Sequence, residues 1–384
     1  MAPPKPGGTL PAYRIGLVVG TRPEAIKLAP VAAALAAAGA RPLILHSGQH
    51  RGLDLADHGL AAFPVAPLGC HSRCDPFDHA DEVAAALERR CRSAAPDLVM
   101  VQGDTSSALG GARAAHRLGL PLAHVEAGLR SFDPRTPWPE EEFRCEIDRI
   151  SDLLFAPTAT AAANLDREQC EGEVHVTGNS GIDALRLVVA ALPRIRRKPA
   201  RRPLRLLVTC HRRESWGQGL TALGHALVTL AKRGDVAIEV VLHPNPQVAE
   251  TMWGLLSGVA GIRLRTPLDH RTMVAAMRRA DLILSDSGGV QEEAPALGIP
   301  LLVLRDKTER PECIASGNAL LVGTSQDRIV TAVTRLLGDP DALAAMAVAR
   351  FPFGDGHAAP RISALTLAWL AAEGAVAALD RRSA

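Results

Sequence analysis

A chain of 384 residues, 47% of them apolar, is longer than one hydrophobic core organises and calls for two α/β domains. A formal net charge of +2 leaves no basic excess to hold nucleic acid or an anionic membrane surface. Seven scattered cysteines read as reduced thiols of a cytoplasmic protein, and no apolar run reaches membrane-spanning length.

Residues 1–12 have no apolar stretch of signal-peptide type and read as a flexible tail. Residues 14–20 (RIGLVVG) predict a strand, and Thr21-Arg22-Pro23-Glu24 opens a helix, because proline in the first turn followed by an acid marks a helix start. No GxGxxG follows the strand, so no nicotinamide dinucleotide is expected. Arg22 and Lys27 stand near the helix start, where the dipole disfavours cations. That placement suits a waiting phosphate, with a solvated helix face as the plain alternative.

A strand over 42–46 ends in Ser47-Gly48-Gln49-His50-Arg51. Residues 69–80 read as a polar loop; Cys70, His71 and Cys74 lack a second ligand pair, so no metal is expected. A helix over 81–93 and a strand over 97–101 lead to Gln102-Gly103-Asp104-Thr105. A helix over 106–117 and a strand over 121–125 lead to Glu126-Ala127-Gly128-Leu129-Arg130. Residues 131–139 form a Pro-rich, mobile loop before a helix that starts at Glu140 and carries Arg144, Asp148 and Arg149. Strands at 153–156 and 174–177 flank a helix at 159–167. This alternation argues a doubly wound parallel sheet over 13–185.

A helix over 182–191 enters the basic run PRIRRKPARRP, and 186–203 is the expected linker region. The pattern repeats over 204–360: a strand at 204–208 ends in Cys210-His211-Arg212-Arg213, and one at 237–242 ends in His243-Pro244-Asn245-Pro246. Strands at 282–284 and 299–304 bracket Asp286-Ser287-Gly288-Gly289 and a helical segment, 290–297. Unpaired N–H groups at a helix start, beside glycines, cradle a phosphate. Ser287 could add a donor, and Glu292 and Glu293 acceptors for sugar hydroxyls. An ordinary turn capped by Ser287 is the alternative. Residues 361–384 form a terminal helix expected to pack back on the N-terminal domain.

The polar motifs gather at strand ends: Arg22, Gln49, His50, Asp104, Glu126, Arg130, Glu140, His211, Arg212, Arg213, His243, Ser287 and Glu293. Singly, each has an ordinary reading; Asp104 or Glu140 could cap a helix, and His211 could be a satisfied core residue. Jointly they predict a cleft between two Rossmann-like domains that holds a nucleotide diphosphate and performs acid–base chemistry.

The stretches GTRPEAIKLAPV (20–31), SGQHR (47–51), QGDTSS (102–107), HVEAGLRSFD (124–133), PWPEEEFR (137–144), VTGNSGIDAL (176–185), TCHRRES (209–215), HPNP (243–246) and SDSGGVQEEAPALGIPLLVLRDKTERPE (285–312) closely resemble the non-hydrolysing UDP-N-acetylglucosamine 2-epimerases, in the same order. The resemblance implies a glycosyltransferase-B-like fold, with two doubly wound domains facing a cleft. It implies conversion of UDP-N-acetylglucosamine to UDP-N-acetylmannosamine by elimination of UDP to a 2-acetamidoglucal and re-addition, without metal or cofactor. Asp104, Glu126 and Glu140 match the family's catalytic carboxylates and His211 its catalytic histidine. Arg22, Lys27, His211 and Arg212 resemble groups around the phosphates. Ser287, Gly288 and Gly289 match the diphosphate-binding turn and Glu293 the ribose-binding acid, while Arg310 would reach the hexose or phosphate. Gln49, His50, Arg213 and His243 resemble parts of a site for a second UDP-N-acetylglucosamine, an activator in many bacterial members. The family also implies a homodimer, with no nucleic-acid or membrane partner.

Phe143 stands where the family usually has Asn, Ser215 where Asn is frequent, Gly181 where Val is common, and Gly52 where a polar residue is usual. Phe143 and the 69–80 loop motivate a competing reading, the same reaction on a modified UDP-sugar such as a diacetamido uronic acid. Further competing readings are a hydrolysing 2-epimerase releasing N-acetylmannosamine and UDP, against which the GTRPEAIK opening argues, a glycosyltransferase of the same fold, which should lack the Asp104, Glu126 and Glu140 set, and a non-enzymatic nucleotide-sugar sensor.

Overall fold

The computed structural model describes residues 12–50, 52–71, 73, 75–93, 95–135, 137–195, 203–210 and 217–383. The expectations for His211, Arg212 and Arg213, for Cys74, for most of the N-terminal tail and for the middle of the basic run lie outside the described residues. The chain divides into two units: Met1–Gly128 with Glu142–Ser180 and His357–Ala384, and Leu129–Glu141 with Gly181–Gly356.

The first unit follows the order β1 (Arg14–Val19), α1 (Arg22–Ala37), β2 (Arg41–His46), β3 (Val65–Pro67), α2 (Pro76–Cys91), β4 (Leu98–Gln102), α3 (Ser106–Leu118), β5 (Leu122–Val125), α4 (Glu140–Arg149), β6 (Leu153–Ala156), α5 (Ala159–Arg167) and β7 (Glu173–Val176). Helix α6 (Ser180–Ala191) leads into the second unit. There β8 (Leu204–Thr209), α7 (Gln218–Ala231), β9 (Val236–Val241), α8 (Pro246–Leu256), β10 (Ile262–Arg265), α9 (His270–Arg279), β11 (Leu282–Ser285), α10 (Gly288–Leu297), β12 (Leu301–Val303), α11 (Pro311–Ala315), β13 (Ala319–Leu321), α12 (Gln326–Gly338) and α13 (Pro340–Met346) follow. Helix α14 (Ala358–Ser383) belongs to the first unit again.

Both sheets are parallel. The first has seven strands in the order β3-β2-β1-β4-β5-β6-β7, the second six in the order β10-β9-β8-β11-β12-β13. The strands of the sheet centres read as apolar runs because helices cover both faces. In the first unit one core layer joins β1, α1 and α14 through Leu17, Leu28, Val31 and Ile362, and another joins β4, α2, α3 and α4 through Val101, Leu87, Leu109 and Phe143. The second unit repeats this with α7, α8 and α12 on one face and α9 and α10 on the other. Among the described residues no helix is long and apolar enough to cross a membrane.

The expected 69–80 loop is shorter than predicted. Helix α2 begins at Pro76, with the Asp75 carboxylate accepting from Phe77 N (2.7 Å) and Asp78 N (3.3 Å). An Asp cap with proline at the first helical position is a full start signal, and the polar composition around it hides the first turn. Helix α8 has the same unread signal: Asn245 accepts from Gln247 N at 3.0 Å and Pro246 follows. Helix α6 runs unbroken across residue 186, where the linker region is expected to start, and Arg186 donates to the Asp355 carbonyl at 2.9 Å.

Candidate active site

Each sheet reverses its winding once, between β1 and β4 in the first unit and between β8 and β11 in the second. Chains leave such a point in opposite directions, which opens a crevice at the carboxyl ends of the strands, where α/β proteins bind ligands. The motifs 20–24 and 103–105 flank the first of these points, and 286–289 follows β11 at the second.

At the first switch point Thr21 caps α1, and Glu24 completes a reciprocal capping box. The Glu24 carboxylate accepts from Gly20 N (2.8 Å) and Thr21 N (2.6 Å), and from the Thr105 hydroxyl on the neighbouring loop. It is fully buried. Burial raises its pKa to about 6, against the lowering effect of those donors. Glu24 thus ties the loop after β1 to the loop after β4.

Lys27, one turn further along α1, points into the unit. Its ammonium lies 2.5 Å from Glu126 Oε2, and Gln102 Nε2 donates to the same oxygen at 2.6 Å. From sequence Lys27 reads as a phosphate cation; its structural partner is this acid on the β5 loop. Glu126 itself adopts a left-handed backbone, φ 72°, a conformation that costs a non-glycine residue free energy and concentrates at functional sites. Gly128 closes the turn at φ 82°, and a Cβ there would overlap the Ala161 carbonyl.

Asp104 does not cap α3. That role falls to Thr105, whose hydroxyl accepts from Ala108 N at 3.0 Å. The Asp104 carboxylate is instead gripped by the Arg144 guanidinium of α4 and stays about one quarter exposed. Gln102 and Val125 are register partners in the sheet, so Asp104 and Glu126 leave adjacent strand ends. In the sequence Arg144 stands out only as a helix residue, and Gln102 only as part of a motif. Neither contact is legible there, since the partners lie 40 and 24 residues away.

Glu140, the half-buried first residue of α4, falls with the 129–141 segment of the second unit. Its neighbour Glu141 holds that segment, accepting from Ser131 N (2.9 Å) and Phe132 N (2.9 Å). Phe143 packs edge-on against Phe77, centroids 4.9 Å apart, and is 1% exposed. It is core. Phe143 in the core removes one motive for a modified sugar, while the described residues 69–71, 73 and 75 of the expected loop stay outside helix and strand. Gln49 is engaged by Ser107, whose backbone N–H and hydroxyl both donate to its Oε1 (3.1 and 2.7 Å). His50 keeps solvent contact, yet desolvation of its ring and then the Arg22 charge hold it below the usual imidazole range.

At the second switch point Ser287 is the N-cap of α10 by position, but its side chain makes no capping hydrogen bond. Its backbone N–H donates to Ser285 Oγ at 3.0 Å, and Ser285 pairs with Thr209 Oγ1 at 2.7 Å. The first N–H groups of α10 and the Ser287 hydroxyl thus suit an anion. Arg310 is 6% exposed and lies beneath this turn: its Nε donates to Glu292 at 2.6 Å, and its guanidinium pairs with Glu309. A Cβ on Gly288 would lie 2.8 Å from the Arg310 guanidinium carbon, so glycine is what lets that group pack under the turn. Glu293 Oε1 is 2.8 Å from His270 Nε2. His243 Nδ1 accepts from Asn245 N at 2.9 Å, and burial lowers its pKa while Asp286 opposes the shift. Among the described residues no group of side chains is arranged to hold a metal ion.

Known proteins share this fold. The model of the family described as UDP-N-acetylglucosamine 2-epimerase matches residues 33–366. The UDP-N-acetylglucosamine 2-epimerase of Yersinia pestis is 41% identical over 362 residues, 90% of this chain and 96% of its own length. A crystal structure of UDP-GlcNAc 2-epimerase from Neisseria meningitidis bound to UDP-GlcNAc superposes with a TM-score of 0.85 at 35% identity, over 92% of this chain and 99% of that one. A spinosyn rhamnosyltransferase shares the fold alone, with a TM-score of 0.52 at 19% identity over 87% of this chain and 94% of that one. The two parallel sheets are therefore of the glycosyltransferase-B-like type.

Proposed function

The chain belongs to the UDP-N-acetylglucosamine 2-epimerase family, and from that premise we propose that it interconverts UDP-N-acetylglucosamine and UDP-N-acetylmannosamine without net hydrolysis. One observation carries the reading: Asp104 and Glu126 leave the adjacent ends of β4 and β5, beside the winding reversal, each held by a buried cation, Arg144 and Lys27.

The C2–H bond of the sugar is only weakly acidic, so direct deprotonation and reprotonation is slow. Loss of the C2 proton to a carboxylate, with cleavage of the C1–O bond to UDP, gives a 2-acetamidoglucal and avoids a free carbanion. Re-addition of UDP at C1 with protonation of C2 on the other face gives the epimer. Asp104, Glu126 and Glu140 are the acid and base candidates, and His211 joins them by family resemblance. The turn at Ser287-Gly288-Gly289 is suited to the diphosphate both before and after the bond to the sugar breaks. Arg22 and Arg212 complete the phosphate set and Glu293 takes the ribose. Arg310 is a support of the turn in this reading, since its donors already face Glu292 and Glu309. A cytoplasmic homodimer and a second UDP-N-acetylglucosamine as activator, for which Gln49, His50, Arg213 and His243 are the family-matched residues, belong to the same proposal.

The test is turnover of UDP-N-acetylglucosamine in heavy water. Deuterium at C2 together with UDP-N-acetylmannosamine is expected. Absence of both would sink the proposal, and stoichiometric free UDP would move it to the hydrolysing reaction.

A further inference from the structure

We propose that His124 and Asp148 form a buried positioning pair that sets the acid-bearing loops of Asp104 and Glu126 relative to each other. The proposal rests on the reading of those two acids given above. His124 lies on β5 and Asp148 on α4; both side chains are 0% exposed, and His124 Nδ1 is 2.6 Å from Asp148 Oδ1.

The pair reaches main chain on both sides. His124 Nε2 lies 2.8 Å from the Gly103 carbonyl oxygen, which can only accept, so this nitrogen carries a proton. The contact between Nδ1 and Asp148 holds a second proton. Asp148 Oδ2 accepts from Gly128 N at 3.1 Å.

Those contacts fall at telling places. Gly103 immediately precedes Asp104 and has φ 69°. Gly128 ends the turn that begins with left-handed Glu126. Gly103 N also donates to Val125 O at 3.0 Å, and Glu126 N and Ala127 N both donate to Phe155 O. Asp148 sits four residues after Arg144, on the same face of α4. One helix face thus holds Asp104 twice, by its side chain through Arg144 and by the backbone behind it through His124. The Glu126 turn is held by the same carboxylate. A pair that only filled the core would have no reason to divide its hydrogen bonds between these two loops. A loop misplaced by about 1 Å costs on the order of 100-fold in rate.

The test uses the full chain with His124→Gln, Asp148→Asn and the double variant, read by kcat and KM for UDP-N-acetylglucosamine, UDP affinity by calorimetry, and thermal melting. Expected is a fall in kcat of roughly 30–100-fold, with KM and UDP affinity within about threefold and the double variant no worse than the poorer single one. Either single variant keeping kcat within about threefold of the unaltered chain would overturn the proposal, as would variants that do not fold or that lose UDP affinity in step with kcat. Glu126→Gln and Asp104→Asn run in parallel. If they abolish turnover while the pair variants keep it, the positioning role alone fails; if they keep full turnover, the reading of the two acids fails and takes this proposal with it.

Discussion

The Lys27 ammonium lies 2.5 Å from Glu126 Oε2, with the two side chains 9% and 5% exposed. Removing one member of such a pair strands the other charge where water does not reach it. Lys27→Met is expected to destabilise the fold by about 3 kcal/mol and to lower turnover at least ~100-fold. Adding Glu126→Gln should recover much of the stability in urea unfolding while leaving turnover absent. A double variant whose loss of stability equals the sum of the separate Lys27→Met and Glu126→Gln losses would show that the two residues are not coupled.

Glu24 has a raised pKa of about 6, against 4.5 for an unperturbed glutamate. A carboxyl with a raised folded-state pKa favours the fold while protonated and penalises it when ionised. Its contribution is thus best below pH 4.5 and is lost as pH rises through 6, by about 2 kcal/mol in all. Glu24→Gln keeps a capping-box residue and removes the titration. The stability of the variant relative to the unaltered chain should rise by about 2 kcal/mol between pH 4.5 and pH 7. A difference that stays flat across that window, measured by denaturant unfolding at several pH values, counts against a protonatable Glu24.

Phe143 fills core against Phe77. Phe143→Asn, which installs the residue usual in the family, should cost roughly 3–5 kcal/mol through a cavity and a buried amide. The ratio of kcat/KM between UDP-N-acetylglucosamine and other UDP-2-acetamido sugars should not change. A shift in that ratio would place Phe143 at the substrate after all.

Gly288 and Gly289 are adjacent but differ in what surrounds them. A Cβ on Gly288 meets Arg310, itself tied to Glu292 and Glu309, whereas one on Gly289 has, among the described residues, only Ser287 Oγ, 4.0 Å away. Gly288→Ala is expected to lower the melting temperature and to weaken UDP binding about tenfold or more, an overpacking cost of ~1–3 kcal/mol. Gly289→Ala should melt close to the unaltered chain. Similar melting of the two variants would mean that Arg310 yields freely.

The alternation of strands and helices is readable because a central parallel strand needs an uninterrupted apolar run and a helix needs a start signal. The site is readable as a set of strand-end residues, since each motif follows a strand directly. The pairings are not. Lys27 looks like a cation out of place near a helix start, because the carboxylate that accounts for it is 99 residues away. Arg144 and Asp148 carry a hint in their four-residue spacing on one helix, but the loops they hold come from other strands. The start of α2 and the whole of α8 escape for a different reason: an Asp or Asn followed by Pro announces them, and polar composition masks the cap. His211, Arg212 and Arg213 lie outside the described residues.

The first unit is written in separated pieces of the chain, and this orders its assembly. Ala358, Ala359, Ile362 and Leu370 of α14 complete the same core layer as Ile15, Leu17 and Leu28, and the Tyr13 hydroxyl donates to the Leu370 carbonyl at 3.3 Å. During synthesis those residues leave the ribosome only after the whole of Gly181–Gly356. The unit that begins first therefore finishes last, and until it does, the apolar face of α1 that α14 will cover stays open to water. A nascent chain of this design depends on α14 docking promptly once it is made, or on a chaperone shielding that face in the interval.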